Sequence, residues 1–338
     1  MLNYITPLIF SMTAKGAAQK IISGDLVVFP TETVYGIGAL AGNDEAVRKI
    51  FAVKGRPLIN PLILHVADNE QLNDLVREIP ETAKKLIDKY WPGPLTICLK
   101  KSNKVSDFVT AGLSTVCVRR PDHKLAQEFL REVGAAVAAP SANLSGKPST
   151  TTFADAKKQL ENRGVFFLDG GDSPLGLEST VVDCSEKRVK LLRPGCVSKE
   201  ALENALGEEI FDSAEDDKIS SPGQLLNHYA PSGNLTVVFG DLTKRREYFS
   251  KINFEPKKYI IGIVGGLNHL NFPAEIYQIS GDEYDLGTYA SRLYKFLNHC
   301  DQSGAEEIYL ELPNAKNSLL PTLINRLEKS SQGNIVII

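Results

Sequence analysis

The chain has 338 residues, with 38 Lys and Arg against 41 Asp and Glu, for a net charge of −3. That length suggests two domains, and 43% hydrophobic with 23% charged residues is the balance of a soluble globular protein. Nothing in the global charge points to a nucleic-acid polymer as the main partner, and no apolar run reaches the roughly 18 residues that would span a membrane.

The apolar N-terminus MLNYITPLIF lacks a basic leader and makes a weak signal peptide. Thr13 is placed to cap a helix with Ala14, Ala17, Ala18, Ile21 and Ile22 on its apolar face, stopped by Gly24. DLVVF (25–29) reads as a buried strand. Asn43 or Asp44 opens a helix carrying Val47, Ile50 and Phe51, and LILHV (62–66) is the next strand. Two helices follow, one with Leu72, Leu75, Val76 and Ile79, the other with Ala83, Leu86, Ile87 and Tyr90, ended by WPGP (91–94). Further strands are predicted at 95–100, 115–119, 135–139, 165–168, 179–184 and 188–193, then a helix near 198–206. Few βαβ units are regular, so a mixed, twisted sheet with helices is expected over 1–206.

Residues 207–220 hold six acids and one lysine, the composition of a solvated linker, and SPGQLLNHYAPSG (221–233) follows. LTVVF, YIIGIVGG, EEIYLEL and NIVII then read as strands of a smaller Rossmann-like α/β domain over 234–338, whose longest helix spans about 285–302. Cys98, Cys117, Cys184, Cys196 and Cys300 form no C-x-x-C pair. Cys98 and Cys117 lie in strand-like runs and read as small core residues of a reducing compartment, hence a cytoplasmic protein.

Polar groups collect at strand ends. PTETVYGIG (30–38) follows a buried strand, and KGRPLINPLILH (54–65) sets Lys54 and Arg56 about a glycine before Asn60 and His65. Cations at such a turn suit phosphates, because Arg forks onto two oxygens and Lys adds a point charge. A solvated loop is the plain alternative. STVCVRRP (114–121) delivers Arg119 and Arg120; in strand alternation one points inward and needs an anion, either a substrate carboxylate or an internal salt bridge. APSANLSGKPS (139–149), GLESTVVD (176–183) and LLRPG (191–195) add hydroxyls and Arg193. Neither a P-loop nor G-x-G-x-x-G is present. This set suits positioning and charge neutralisation rather than covalent catalysis.

Together with WPGPLT, these motifs resemble the YrdC-like domain of threonylcarbamoyl-AMP synthases, and the SPGQLLNHYAP segment with a second α/β domain is similar to that family's long form. The resemblance implies formation of a carbamate from L-threonine and bicarbonate or CO2, then transfer of AMP from ATP with release of pyrophosphate, for tRNA modification by a downstream threonylcarbamoyl-transferase machinery. It assigns Lys54 and Arg56 to catalysis. Thr33, His65, Arg119, Ala139 and Ser179 go to threonine, and Arg56, Asn60, Thr115, Ser141, Ser149, Arg193 and Tyr229 to ATP. Tyr229 would close over the nucleotide as part of a lid containing Leu225 and Leu226. Mg2+ is expected with ATP, no organic cofactor is implied, and Glu32 and Glu178 are the candidate metal ligands. The stretch LPNAKNSLLPTLINRL lacks glycines associated with the family, which leaves the second domain without an assigned role. The alternative is an RNA-binding protein using the same basic concavity. A hydrogenase-maturation carbamoyltransferase would need zinc-finger segments, and this chain has no C-x-x-C.

Overall fold

The computed structural model describes residues 12–213, 229–254, 257–265 and 273–338. The N-terminal stretch, and Leu225 and Leu226 of the expected lid, lie outside these. In α1 (Ala14–Ile22), Thr13 Oγ1 accepts the Gly16 N–H at 3.1 Å, capping a helix whose small residues face inward. Ile22, expected on that face, is 53% exposed. β1 (Leu26–Phe29) and β2 (Gly36–Leu40) flank the PTETVY turn and pair antiparallel. α2 (Asp44–Lys54) starts at the Asn43 cap and stops where Gly55 takes φ 64°.

β3 (Ile63–His65), α3 (Glu70–Leu75) and α4 (Glu81–Tyr90) come next. α3 is shorter than its apolar pattern predicts, because Val76 turns extended and bridges to Lys101. β4 (Leu95–Lys100), α5 (Asp107–Thr110), β5 (Thr115–Arg119), α6 (Lys124–Val133), β6 (Val137–Ala139) and α7 (Phe153–Leu160) follow. β7 (Val165–Phe167), β8 (Thr180–Asp183), β9 (Lys190–Arg193), α8 (Lys199–Leu206) and β10 (Phe211–Asp212) complete a ten-stranded mixed sheet, ordered β10-β9-β8-β4-β5-β3-β6-β2-β1-β7. β10 pairs with β9, so the first sheet continues into the stretch whose composition reads as linker.

The second sheet contains β11 (Asn234–Gly240), β12 (Tyr259–Val264), β13 (Glu275–Ser280), β14 (Glu307–Pro313) and β15 (Ile335–Ile337). Its order is β13-β12-β14-β11-β15 and every pairing is parallel. α9 (Leu242–Ser250), α10 (Leu286–Ser303) and α11 (Leu320–Ser330) connect the strands. Val34 and Leu177, from loops of the first sheet, are buried in the same apolar cluster as Leu293 and Leu323 of the second. No described helix is long and apolar enough to cross a membrane.

One expectation is corrected. Cys98 and Cys117 are not separate thiols: they face each other across the β4–β5 pair and form a disulfide, while Cys184, Cys196 and Cys300 are free. Spacing along the sequence does not reveal this, because the register alone brings positions 98 and 117 opposite each other.

Candidate active site

β3 lies between β5 and β6, with His65 opposite both Arg119 and Val137. A narrow cavity of about 50 Å3 opens beside these strand ends, room for a few waters. All five residues assigned to threonine line it: Thr33, His65, Arg119, Ala139 and Ser179. Arg119 is the inward member of its arginine pair. Its Nε donates to Gly93 O at 3.1 Å and its Nη1 to Thr33 Oγ1 at 2.8 Å. Gly93, in the WPGP turn, must be glycine, because a Cβ would sit 2.3 Å from Tyr90 O. Arg119 Nη2 lies 2.6 Å from Glu32 Oε1, so the internal salt bridge left open by the sequence exists. The two meet as ions without hydrogen-bond alignment: Arg119 Nη2 and both Glu32 oxygens are buried without a hydrogen-bond partner. Arg carries five N–H donors, so donors remain for a substrate carboxylate. His65 is buried against Phe29, and burial together with the Arg119 charge lowers its pKa to about 3, leaving a neutral imidazole whose Nδ1 lacks a partner. Ser179 Oγ sits 2.7 Å from Thr96 Oγ1 and accepts from Arg193 Nη2 at 3.1 Å.

Arg56, Ser141, Arg193 and Tyr229 of the ATP set also line the cavity. Arg56 donates to Asn60 O and Pro61 O, so its guanidinium is fixed by the turn it stands on. Burial, with Arg193 nearby, lowers its pKa to about 9, which still leaves it charged at neutral pH. Two buried guanidiniums facing one cavity are tolerated where an anion is to be received.

The other assigned residues are not among those that line the cavity. Asn60 is buried, with both amide atoms unpartnered. Ser149 Oγ donates to Glu178 Oε1 at 2.7 Å. Thr115 begins β5, four residues before Arg119, which is about 13 Å along a strand. Lys54 does not line the cavity; its Nζ donates to Ser141 O and Asn143 O, fixing the loop after β6. Burial and Arg56 hold its pKa well below the usual lysine value.

The sequence missed three side chains of the second domain. Glu178 lines the cavity and accepts from Tyr294 OH and Arg326 Nε, each at 2.9 Å. Tyr294 also packs against Tyr229, with ring centroids 5.4 Å apart. Asn298 Nδ2 donates to Ser149 O at 2.9 Å. Their hydrogen-bond partners Glu178 and Ser149 lie over a hundred residues away along the chain, beyond any local pattern. They also decide the metal question. Glu178 is engaged on both oxygens and Glu32 is paired with Arg119, and among the described residues no group of three His, Cys, Asp or Glu is placed to hold an ion. The donor set does not fit a magnesium cage built by the protein.

The chain matches two family models: the Sua5/YciO/YrdC model, described as "Telomere recombination", over residues 19–195, and "Threonylcarbamoyl-AMP synthase, C-terminal domain" over 197–332. It is 40% identical over 328 residues to a threonylcarbamoyl-AMP synthase of Pyrococcus abyssi, covering 95% of this chain and 94% of the relative. It is 39% identical over 326 residues to one of Bacillus subtilis, covering 95% and 93%. A crystal structure of P. abyssi Sua5 complexed with L-threonine superposes with a TM-score of 0.88 at 39% identity, covering 96% of each chain. On these matches, spanning both sheets, the chain belongs to the threonylcarbamoyl-AMP synthase family.

Proposed function

We propose that this chain is a nucleotidyltransferase that converts L-threonine, bicarbonate and ATP to threonylcarbamoyl-AMP and pyrophosphate. The observation that carries the reading is one cavity with Arg119, Thr33 and Ser179 on its wall beside Arg56 and Arg193. It offers an anchor for an amino-acid carboxylate next to a pair of cations suited to phosphates.

The threonine amine adds to CO2 derived from bicarbonate, loses a proton and becomes a carbamate. A carbamate oxygen then attacks the α-phosphorus of ATP, and the bond to the β-phosphate breaks to release pyrophosphate. Both reactants are anions, so Arg56 and Arg193 lower the cost of bringing them together. The neutral His65 contributes shape and hydrogen bonding without repelling the threonine ammonium. Lys54 acts through the 141–143 loop that it holds. Magnesium carried on the ATP phosphates would neutralise part of their charge. A cavity of about 50 Å3 is too small for ATP as it stands, so its wall has to open for the nucleotide, and Tyr229, which lines it, would then help exclude water from a hydrolysable product. Its need for ATP and its role in tRNA modification suit the cytoplasm, upstream of a transferase that passes the threonylcarbamoyl group to tRNA. RNA binding as the sole function is less favoured at a net charge of −3.

The test is incubation of the full chain with threonine, bicarbonate and ATP, following pyrophosphate release. Release that depends on all three substrates is expected. Release independent of threonine defeats the reading.

A further inference from the structure

Two helices of the second domain pack directly onto the loops that form the cavity. Gly176 takes φ 69°, and a Cβ there would lie 2.4 Å from Ser291 Cα, so the loop before β8 lies against the backbone of α10. Thr322 Oγ1 donates to Gly195 O at 3.1 Å, fastening α11 to the turn after β9.

Arg326 stands at the centre of this contact and is fully buried. Its Nε donates to Glu178 Oε2 at 2.9 Å and its Nη2 to Pro194 O at 2.8 Å. Its guanidinium carbon lies 5.5 Å from the Tyr229 ring centroid. One side chain of the second domain therefore touches a carboxylate of the cavity wall, the turn after Arg193, and an aromatic ring that lines the cavity. Such a contact stabilises if the ring face is desolvated, as it is here.

Charge explains why a cation is needed at this point. Glu178 faces a cavity that has to accept a carbamate and a triphosphate, and an uncompensated buried carboxylate would repel both. Ser149 and Tyr294 satisfy its hydrogen bonds but bring no positive charge. Arg193 adds positive charge from the first domain, and Arg326 makes the direct ion pair, whose members are both buried.

We propose that Arg326 is a positioning residue for adenylation: it compensates Glu178 and holds Tyr229, so that the second domain completes the nucleotide end of the site. This rests on the function proposed above, and gives the second domain a part in the chemistry.

The test uses the full chain and four proteins: wild type, R326Q, E178Q and the double variant E178Q/R326Q. In R326Q the KM for ATP is expected to rise roughly tenfold or more, while threonine binding by calorimetry stays within about twofold. The double variant, with neither charge but also without the hold on Tyr229, should recover part of the ATP affinity, a coupling that loss of packing alone does not produce. Lowering the pH from about 8 to about 6 should partly rescue R326Q, because a buried carboxylate deprived of its cation regains its proton more readily. An unchanged KM for ATP in R326Q, or equal losses for ATP and threonine that the double variant fails to relieve, overturns the proposal. If R326Q does not fold, E178Q examines the same charge from the other side. It leaves surplus positive charge at the nucleotide end, so its KM for ATP should be at or below wild type, and a tenfold increase overturns the proposal. A wild-type protein that releases no pyrophosphate defeats the proposed function instead, which keeps the two failures distinct.

Discussion

Arg119 and Glu32 form an ion pair of 2.6 Å between side chains only 4% and 6% exposed. Arg119 thus has two tasks, as partner of an internal carboxylate and as the proposed anchor of a substrate carboxylate. Arg119→Ala leaves Glu32 buried and uncompensated, so it should lower stability by about 3–5 kcal/mol and also abolish threonine binding. Glu32→Gln separates the two: stability falls, but threonine binds at least as tightly, because Arg119 loses its internal competitor. Calorimetry with threonine beside a denaturant melt checks both, and weaker threonine binding in Glu32→Gln would count against Arg119 as the anchor.

A second prediction concerns Arg56. Its guanidinium rests on the carbonyls of residues 60 and 61 and lines the cavity. Arg56→Ala should leave the fold intact and reduce pyrophosphate release by roughly one to two decades, the loss of about 1.5–3 kcal/mol from a charge-assisted contact. Wild-type turnover in this variant would remove the phosphate role.

Acid should destabilise the protein mainly below pH 4.5. His65 has its pKa depressed from 6.5 to about 3, so its stabilisation is present above 6.5 and is lost as the pH falls toward 3. Burial opposes ionisation of Glu178, but Arg326, Arg193 and the Ser149 hydroxyl outweigh it and bring its pKa from 4.5 to about 2, so its share of about 3 kcal/mol is lost from about pH 4.5 downward. Glu311 works in the other direction. Burial raises its pKa from 4.5 to about 7, so its contribution is present below 4.5 and lost as the pH rises through 7. Between 4.5 and 6.5, His65 and Glu311 offset each other; below 4.5, His65 and Glu178 act together. Melting temperature against pH should be nearly flat in the first window and fall steeply in the second, with a shallower acid slope in Glu178→Gln.

The Tyr229 ring packs on Tyr294 and under Arg326. In the full chain, Tyr229→Ala should keep threonine binding but lose much of its adenylate to hydrolysis, so pyrophosphate release exceeds recoverable product. Full recovery of product would reduce Tyr229 to packing between the two sheets. Cutting the chain at residue 206 is a poorer test, because it also removes β10 and the partners of Glu178.

The disulfide gives a simple count. Unfolded without reductant, the protein should titrate three thiols, those of Cys184, Cys196 and Cys300, and five after reduction. Reduction should lower the unfolding free energy by about 3 kcal/mol for a loop of this separation. Five thiols before reduction would return Cys98 and Cys117 to the independent residues that their sequence context suggests.

Elements with strong local signals were legible in the sequence. The Thr13 cap, strands 95–100 and 115–119, and the helix near 285–302 sit within a residue of where periodicity puts them. Periodicity failed where tertiary pairing overrode it: Val76 continues an apolar helical face but leaves the helix to bridge to Lys101. β2 was hidden because its glycines and the preceding hydroxyls read as a turn. The first-domain side of the site could be assembled from motifs at strand ends, although spacing alone left open which of Arg119 and Arg120 points inward. Tyr294 and Arg326 carry no local mark. An aromatic and an arginine on amphipathic helices look like ordinary helix residues until the fold sets them beside Glu178.

The distance between Glu178 and Arg326 along the chain, 148 residues, also has a meaning in time. At translation rates of about 5–20 residues per second, roughly 7 to 30 s separate the making of the carboxylate from the making of its cation. During that interval, strands of the first sheet can already pair on the ribosome while Glu178 lacks the arginine that pairs with it. If Arg326 positions the nucleotide end as proposed, synthesis order delays adenylation until the last helix arrives.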